Sequence, residues 1–170
     1  MTQPGPGQAL RLGLPIAALV VGLDQLSKFY VIHVLRLADS GPKNVAPFLD
    51  LSFVWNRGIS YGLFQQDSSL GRWLLVGLSV AAVLLIGMWA ARTRSPLTVV
   101  ALGLIAGGAI GNAIDRAAYG AVADFVLFHI TTASWTFRWY VFNLADVGIV
   151  AGVVGLLYES TLARNAAKAP

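Results

Sequence analysis

Trp73 to Ala91 reads WLLVGLSVAAVLLIGMWAA, 19 residues without a single charge. At 1.5 Å per residue this stretch crosses a hydrocarbon core of about 30 Å as a helix. Three more segments extend the pattern outward. Residues 97–114 follow Pro96, which suits a first helical turn, and residues 140–158 close the set. Residues 12–35 lie between Arg11 and Arg36, broken only by Asp24, Gln25, Ser27, Lys28 and His33. The last of these resembles a secretory leader but lacks a small-residue cleavage site, so it is read as an uncleaved span. Trp73, Trp89, Trp139, Tyr140 and Tyr158 fall where an aromatic belt is expected.

The composition agrees. Only 12% of the 170 residues are charged and 56% are hydrophobic, with a mean hydropathy of +0.69. A soluble domain carries about a quarter charged residues. A disordered chain, a disulfide scaffold and a thiolate-bound metal are excluded, since there is no cysteine. The net charge of +4 is small and scattered, so nucleic acid is not an expected partner. The fold class expected is a membrane all-α protein of four transmembrane helices, forming one domain over 1–170 with flexible tails at 1–8 and 160–170.

Four spans put both termini on one side. That side holds Arg11, Arg92, Arg94, Arg164 and Lys168 against Glu159 alone, so the positive-inside rule makes it cytoplasmic. The opposite loops, 36–72 and 115–139, are more than connectors. Leu49, Leu51, Phe53 and Trp55 alternate with Asp50, Ser52, Val54 and Asn56, the period of a half-buried strand. Asn56-Arg57-Gly58 offers turn chemistry, and Ile59 to Phe64 can return as a second strand. A small hairpin sheet after the first span is the expected result.

Polar residues inside apolar segments carry the chemical signal. Gly103, Gly107 and Gly111 form a small-xxx-small stripe for close helix packing. Asn112 and Arg116 share a face at the outer end of that helix. Arg116 either holds a peptide carbonyl or snorkels to the surface. Asp24 and Lys28, i and i+4 in the first span, are read as a structural ion pair rather than a catalytic one. Asn143 and Asp146 lie one turn apart at the start of the fourth span. Asp124 sits in the apolar run Val122-Ala123-Asp124-Phe125-Val126 of an outer loop. Alone it is a turn or cap; with Asp146 it makes two carboxylates whose proton affinities neighbours push apart. Such a pair activates water without metal or thiol. His33 and His129 lack metal-ligand spacing, no serine lies in a nucleophile motif, and no metal or other cofactor is expected.

Five blocks in order resemble the bacterial lipoprotein signal peptidases, the type II signal peptidases. They are residues 24–28 (DQLSK), 56–62 (NRGISYG), 107–116 (GGAIGNAIDR), 122–125 (VADF) and 142–146 (FNLAD). Ser27 stands where Thr is common, Ser60-Tyr61 where Ala-Phe is usual, and 128–139 is individual. The resemblance implies an intramembrane aspartic endopeptidase of the bacterial inner membrane, with cytoplasmic termini and its site near the outer face. It implies cleavage of prolipoproteins just before an S-diacylglyceryl cysteine, with Asp124 and Asp146 as the catalytic pair. Asn56, Asn112, Arg116 and Asn143 would orient substrate, supported by Asp24 and Lys28. Diacylglyceryl-modified prolipoproteins and membrane lipids are the expected partners, and the enzyme is expected to be monomeric. A proton-coupled transporter is the competing class, but the four spans show no inverted repeat; a purely structural four-span protein leaves Asn143 and Asp146 unexplained.

Overall fold

The computed structural model describes residues 6–58 and 68–166. Its elements run α1 (Pro6–Phe29), a π-helical turn (Tyr30–Val34), α2 (Leu37–Ser40), β1 (Lys43–Ala46), β2 (Leu49–Asn56), α3 (Ser69–Arg92), α4 (Pro96–Tyr119), β3 (Val122–Thr131), β4 (Thr136–Phe142) and α5 (Leu144–Ala166). Four helices are long and apolar enough to cross a membrane. Each starts or stops where its backbone groups find partners. The Ser68 hydroxyl accepts from Gly71 N–H at 3.1 Å and the Ser95 hydroxyl from Thr98 N–H at 3.3 Å, the usual N-cap device. Gly120, at φ +82°, closes α4 by donating its N–H to the Arg116 carbonyl at 3.1 Å, a conformation that favours glycine.

Helix α4 is the axis of the bundle, packing on α1, α3 and α5. Within its most apolar window 56% of residues are buried, against 6% for α3, whose surface faces lipid. Small residues permit this central place. A Cβ at Gly107 would stand 2.7 Å from the Ala17 carbonyl, and one at Gly103 would stand 2.8 Å from the Gly13 carbonyl. The α1 backbone lies against that stripe, as the glycine spacing predicts. At the opposite end of the spans, Thr98 donates to the Glu159 carboxylate and ties α4 to α5.

The sheet differs from the expected hairpin. It has four antiparallel strands in the order β1-β2-β3-β4, so the segment after α1 supplies half and the segment after α4 the other half. The alternation of Leu49, Leu51 and Phe53 does mark β2. Leu51 and Phe53 pack with Val126 around Val31, Leu37 and Phe125. Strand β3 escapes a period-two reading because Val122 to Ile130 is apolar on both faces apart from Asp124 and His129. The returning strand expected at 59–64 lies outside the described residues.

Two span boundaries also move. The fourth helix begins at Leu144 rather than 140, because Tyr140 to Phe142 belong to β4; aromatic strand residues and span residues have the same hydropathy. The third continues past Ile114 to Tyr119, since Asp115, which reads as a polar end, is buried. The expected tails fall partly outside the described residues, and 6–8 and 161–166 are helical.

Candidate active site

Residues 143–146 read N-L-A-D, and locally that is a helix start. Asn143 is the N-cap of α5: its side-chain oxygen accepts from Asp146 N–H at 3.0 Å, while Asp146 Oδ2 accepts from Asn143 N–H at 3.2 Å. This reciprocal arrangement is a capping box with Asp in the place of Glu. Asp146 therefore lies in the first turn of α5. The spacing that makes the two side chains neighbours is the spacing of the cap.

Asp124 lies on β3, opposite Val54 of β2, and not on a loop. Its two oxygens accept from Asn143 Nδ2 at 2.6 Å and from Asn56 Nδ2 at 2.9 Å. Asn56 is held in turn because its own oxygen accepts from Gly58 N–H at 3.0 Å, an Asx turn. One amide side chain thus joins both acids: Asn143 donates to Asp124 and accepts from the backbone of Asp146.

Asn112 completes the bridge from α4. Its Nδ2 donates to Asp146 Oδ1 at 2.9 Å, and its oxygen accepts from Asn143 Nδ2 at 3.1 Å and Lys28 Nζ at 3.2 Å. Arg116, one turn on, donates from Nη2 to the Gly58 carbonyl at 2.8 Å and from Nη1 to the Asn112 carbonyl at 3.4 Å. Among the described residues its buried Nε has no partner. Asn56, Asn112, Arg116, Asp124 and Asp146 line one cavity of about 300 Å³, whose apolar wall includes Leu75, Leu78 and Ala82 of α3 and Ile149 of α5. The structure brings these polar residues together around one cavity. The sequence does not reveal that each amide already has a protein partner, or that Arg116 grips the 57–58 turn.

Behind the cavity sits a second polar cluster, in which Asp24, Lys28 and Asp115 are buried. Lys28 Nζ lies 2.8 Å from Asp24 Oδ2 and 2.8 Å from Asp115 Oδ2. Asp24 Oδ1 accepts from Ala145 N–H at 3.0 Å, and Asp115 Oδ2 accepts from Ala123 N–H at 3.0 Å. Gln25 Nε2 donates to Asp24, to Asp115 and to the Gly111 carbonyl. The expected Asp24–Lys28 pair is present. Asp115 and Gln25 are the residues that sequence reasoning passes over. The available signal was charge: one lysine inside a span beside Asp24, with a further acid at the end of a neighbouring span.

Burial is the main cause that raises the Asp124 carboxyl from 3.8 to about 7. The Asn56 hydrogen bond opposes the shift, the charge of Asp146 adds to it, and the Asn143 hydrogen bond and Lys28 oppose it. Such a group changes charge near neutrality, as proton transfer chemistry needs. Among the described residues no three His, Asp or Glu side chains form a metal-ligand group.

A family model described as signal peptidase (SPase) II matches residues 16–162. A lipoprotein signal peptidase of Nitrobacter hamburgensis is 53% identical over 161 residues, 95% of this chain and 98% of its own length. Another, of Methylorubrum extorquens, is 54% identical over 162 residues, 95% of this chain and 91% of its own. A solved bacterial membrane enzyme superposes with a TM-score of 0.76 at 23% identity, covering 92% of this chain and 91% of that one. That likeness shows the fold.

Proposed function

The chain belongs to the signal peptidase II family and is an aspartic protease, and on that premise we propose that Asp124 and Asp146 cleave prolipoproteins just before an S-diacylglyceryl cysteine. One observation carries the assignment. The two carboxyl groups line the same cavity and are tied to one another through Asn143.

In this reaction one carboxylate takes a proton from water as the water oxygen attacks the scissile carbonyl carbon. The other, protonated, donates a hydrogen bond to the carbonyl oxygen as negative charge develops there. Collapse of the tetrahedral intermediate breaks the C–N bond, and a proton from the pair goes to the departing amine of the cysteine. The two acids titrate as a unit. Asn56, Asn112 and Asn143 keep the acids facing the cavity, which Arg116 also lines.

Asp→Asn preserves shape and removes ionisation. Asp124→Asn and Asp146→Asn should each lower turnover of a lipidated precursor by about 10³-fold or more. The double variant should be hardly worse, because the residues act as one device. Substantial cleavage by either purified single variant would remove the pair from the mechanism.

The same reading makes the protein a monomeric, single-domain enzyme of the bacterial inner membrane, with cytoplasmic termini and the cavity near the outer face. The bases of the α3–α4 turn, Arg92 and Arg94, and those of the C-terminal tail support that orientation. The chain has no cysteine of its own, so a cysteine introduced at Asn44 in β1 reports it directly. Labelling is expected from the outer side; labelling from the cytoplasmic side alone overturns the orientation.

A further inference from the structure

We propose that the apolar groove beneath β4, walled by Trp139, Tyr140, Phe142, Val147, Val150 and Ala151, seats an acyl chain of the substrate's diacylglyceryl group. The proposal rests on the reading of the chain as a prolipoprotein peptidase and assigns the lipid its place. The groove holds about 330 Å³, and its remaining wall residue is Asp146. Asp146 also lines the catalytic cavity. Asp146, one of the proposed catalytic residues, is therefore in the wall of both spaces.

Reaction geometry requires such a shared wall. Hydrolysis just before the modified cysteine places the thioether side chain one Cα away from the scissile nitrogen. The lipid must leave the site through a space bordering an acid. A second apolar crevice, between α3 and α4, shares Ser79 and Ala109 with the catalytic cavity, but neither acid is in its wall. The groove beneath β4 meets the requirement.

Its chemistry and size fit one chain. The aromatic rings of β4 touch in sequence, Trp139 tilted against Tyr140 at 5.4 Å and Tyr140 edge-on to Phe142 at 6.1 Å between centroids. They roof the groove at the level where aromatic side chains meet headgroups. Below them Val147 and Val150 are half exposed on the outer side of α5, open to lipid. A helical signal peptide, 10–12 Å across, would fill 330 Å³ in less than one turn. An acyl chain is slender enough to lie along it. Bilayer and groove are equally apolar, so transfer between them adds little affinity. The groove contributes orientation: a chain held there turns the cysteine's peptide bond toward the acids.

The test uses the purified full-length enzyme in lipid nanodiscs and lipopeptides that share one signal sequence. Their thioether-linked glyceryl groups carry two hexanoyl, two palmitoyl or two methyl-branched chains. Ala151→Phe fills the groove and should lower the ratio of kcat/KM for palmitoyl over hexanoyl substrate by about tenfold or more. Val150→Ala widens it and should raise the relative rate for branched chains severalfold; this variant decides alone if Ala151→Phe does not fold. Wild-type ratios in both variants, or an equal loss across all chain types, overturn the groove assignment while leaving the peptidase reading intact. If the unaltered enzyme cleaves none of the lipopeptides, both fall.

Discussion

Four aspartates come together between α1, α4, β3 and α5, and they form two unlike pairs. Asp24 and Asp115 share the ammonium of Lys28, each at 2.8 Å. Asp124 and Asp146 have no cation in ion-pair contact among the described residues and are held by the amides of Asn56, Asn112 and Asn143. The first pair is sealed in the bundle; the second borders a cavity. The two pairs are joined through the backbone. Asp24 accepts the N–H of Ala145 and Asp115 that of Ala123, in each case the residue just before an acid of the second pair. Charge pairing immobilises a carboxylate and removes it from chemistry. Amide pairing holds a carboxylate in place and leaves its proton exchangeable.

The strongest way to break this division is at Lys28. Lys28→Met leaves two buried carboxylates without a counter-ion and should cost about 3–5 kcal/mol of stability, seen as loss of folded protein on thermal unfolding in detergent. Asp124→Asn should leave the unfolding temperature nearly unchanged while removing activity. Neutralising all three charges, Asp24→Asn with Lys28→Met and Asp115→Asn, should recover much of the stability lost by Lys28→Met alone. No recovery would mean that the cluster is more than a charge balance.

A smaller effect is expected at Gly111, where a Cβ would stand 2.5 Å from Asp24 Oδ2. Gly111→Ala should cost about 1–3 kcal/mol and lower turnover by pushing Asp24 off the Ala145 N–H. An alanine variant with wild-type stability and rate would show that the close approach is dispensable.

The smallest effect sharpens the second pair. A fully ionised pair has no proton to donate, and Asp124 releases its proton at about pH 7, so cleavage should fall as pH rises through that value. The Asn56 hydrogen bond favours the ionised form. Asn56→Ala should therefore move the alkaline limb to higher pH, measured as a kcat/KM profile. A limb that stays in place, or moves down, removes Asn56 from control of Asp124.

Much of this was legible in the chain before its coordinates. Apolar length marks four spans, glycine spacing marks α4 as the helix that others approach, and Asp24–Lys28 is visible as an i, i+4 pair. The rest depended on contacts that spacing does not encode. Asp115 meets Lys28 across 87 residues of chain, and Gln25 reaches the same carboxylate from α1. Strand β3 hides because both its faces are covered, which removes the alternation that betrays β2. Asn143 was visible as a neighbour of Asp146, but its role as cap depends on where α5 starts, and hydropathy cannot separate Tyr140 to Phe142 from a span.

The arrangement around Lys28 also bears on how the protein is born. During synthesis α1 leaves the ribosome first, with Asp24 and Lys28 already neutralising each other one turn apart. That lowers an insertion cost of about 2.5–3.5 kcal/mol for a lone charge in mid-bilayer. Asp115 follows on α4, and Asp146 arrives with the last helix, whose first turn Asp24 has been waiting to cap. The two acids of the cavity thus lie late in the chain, on β3 and α5, and their anchors lie early, on α1 and α4. A nascent chain halted after α4 holds Lys28 with Asp24 and Asp115 but lacks both acids of the proposed catalytic pair, so on that proposal proteolytic power comes only in the final step of assembly.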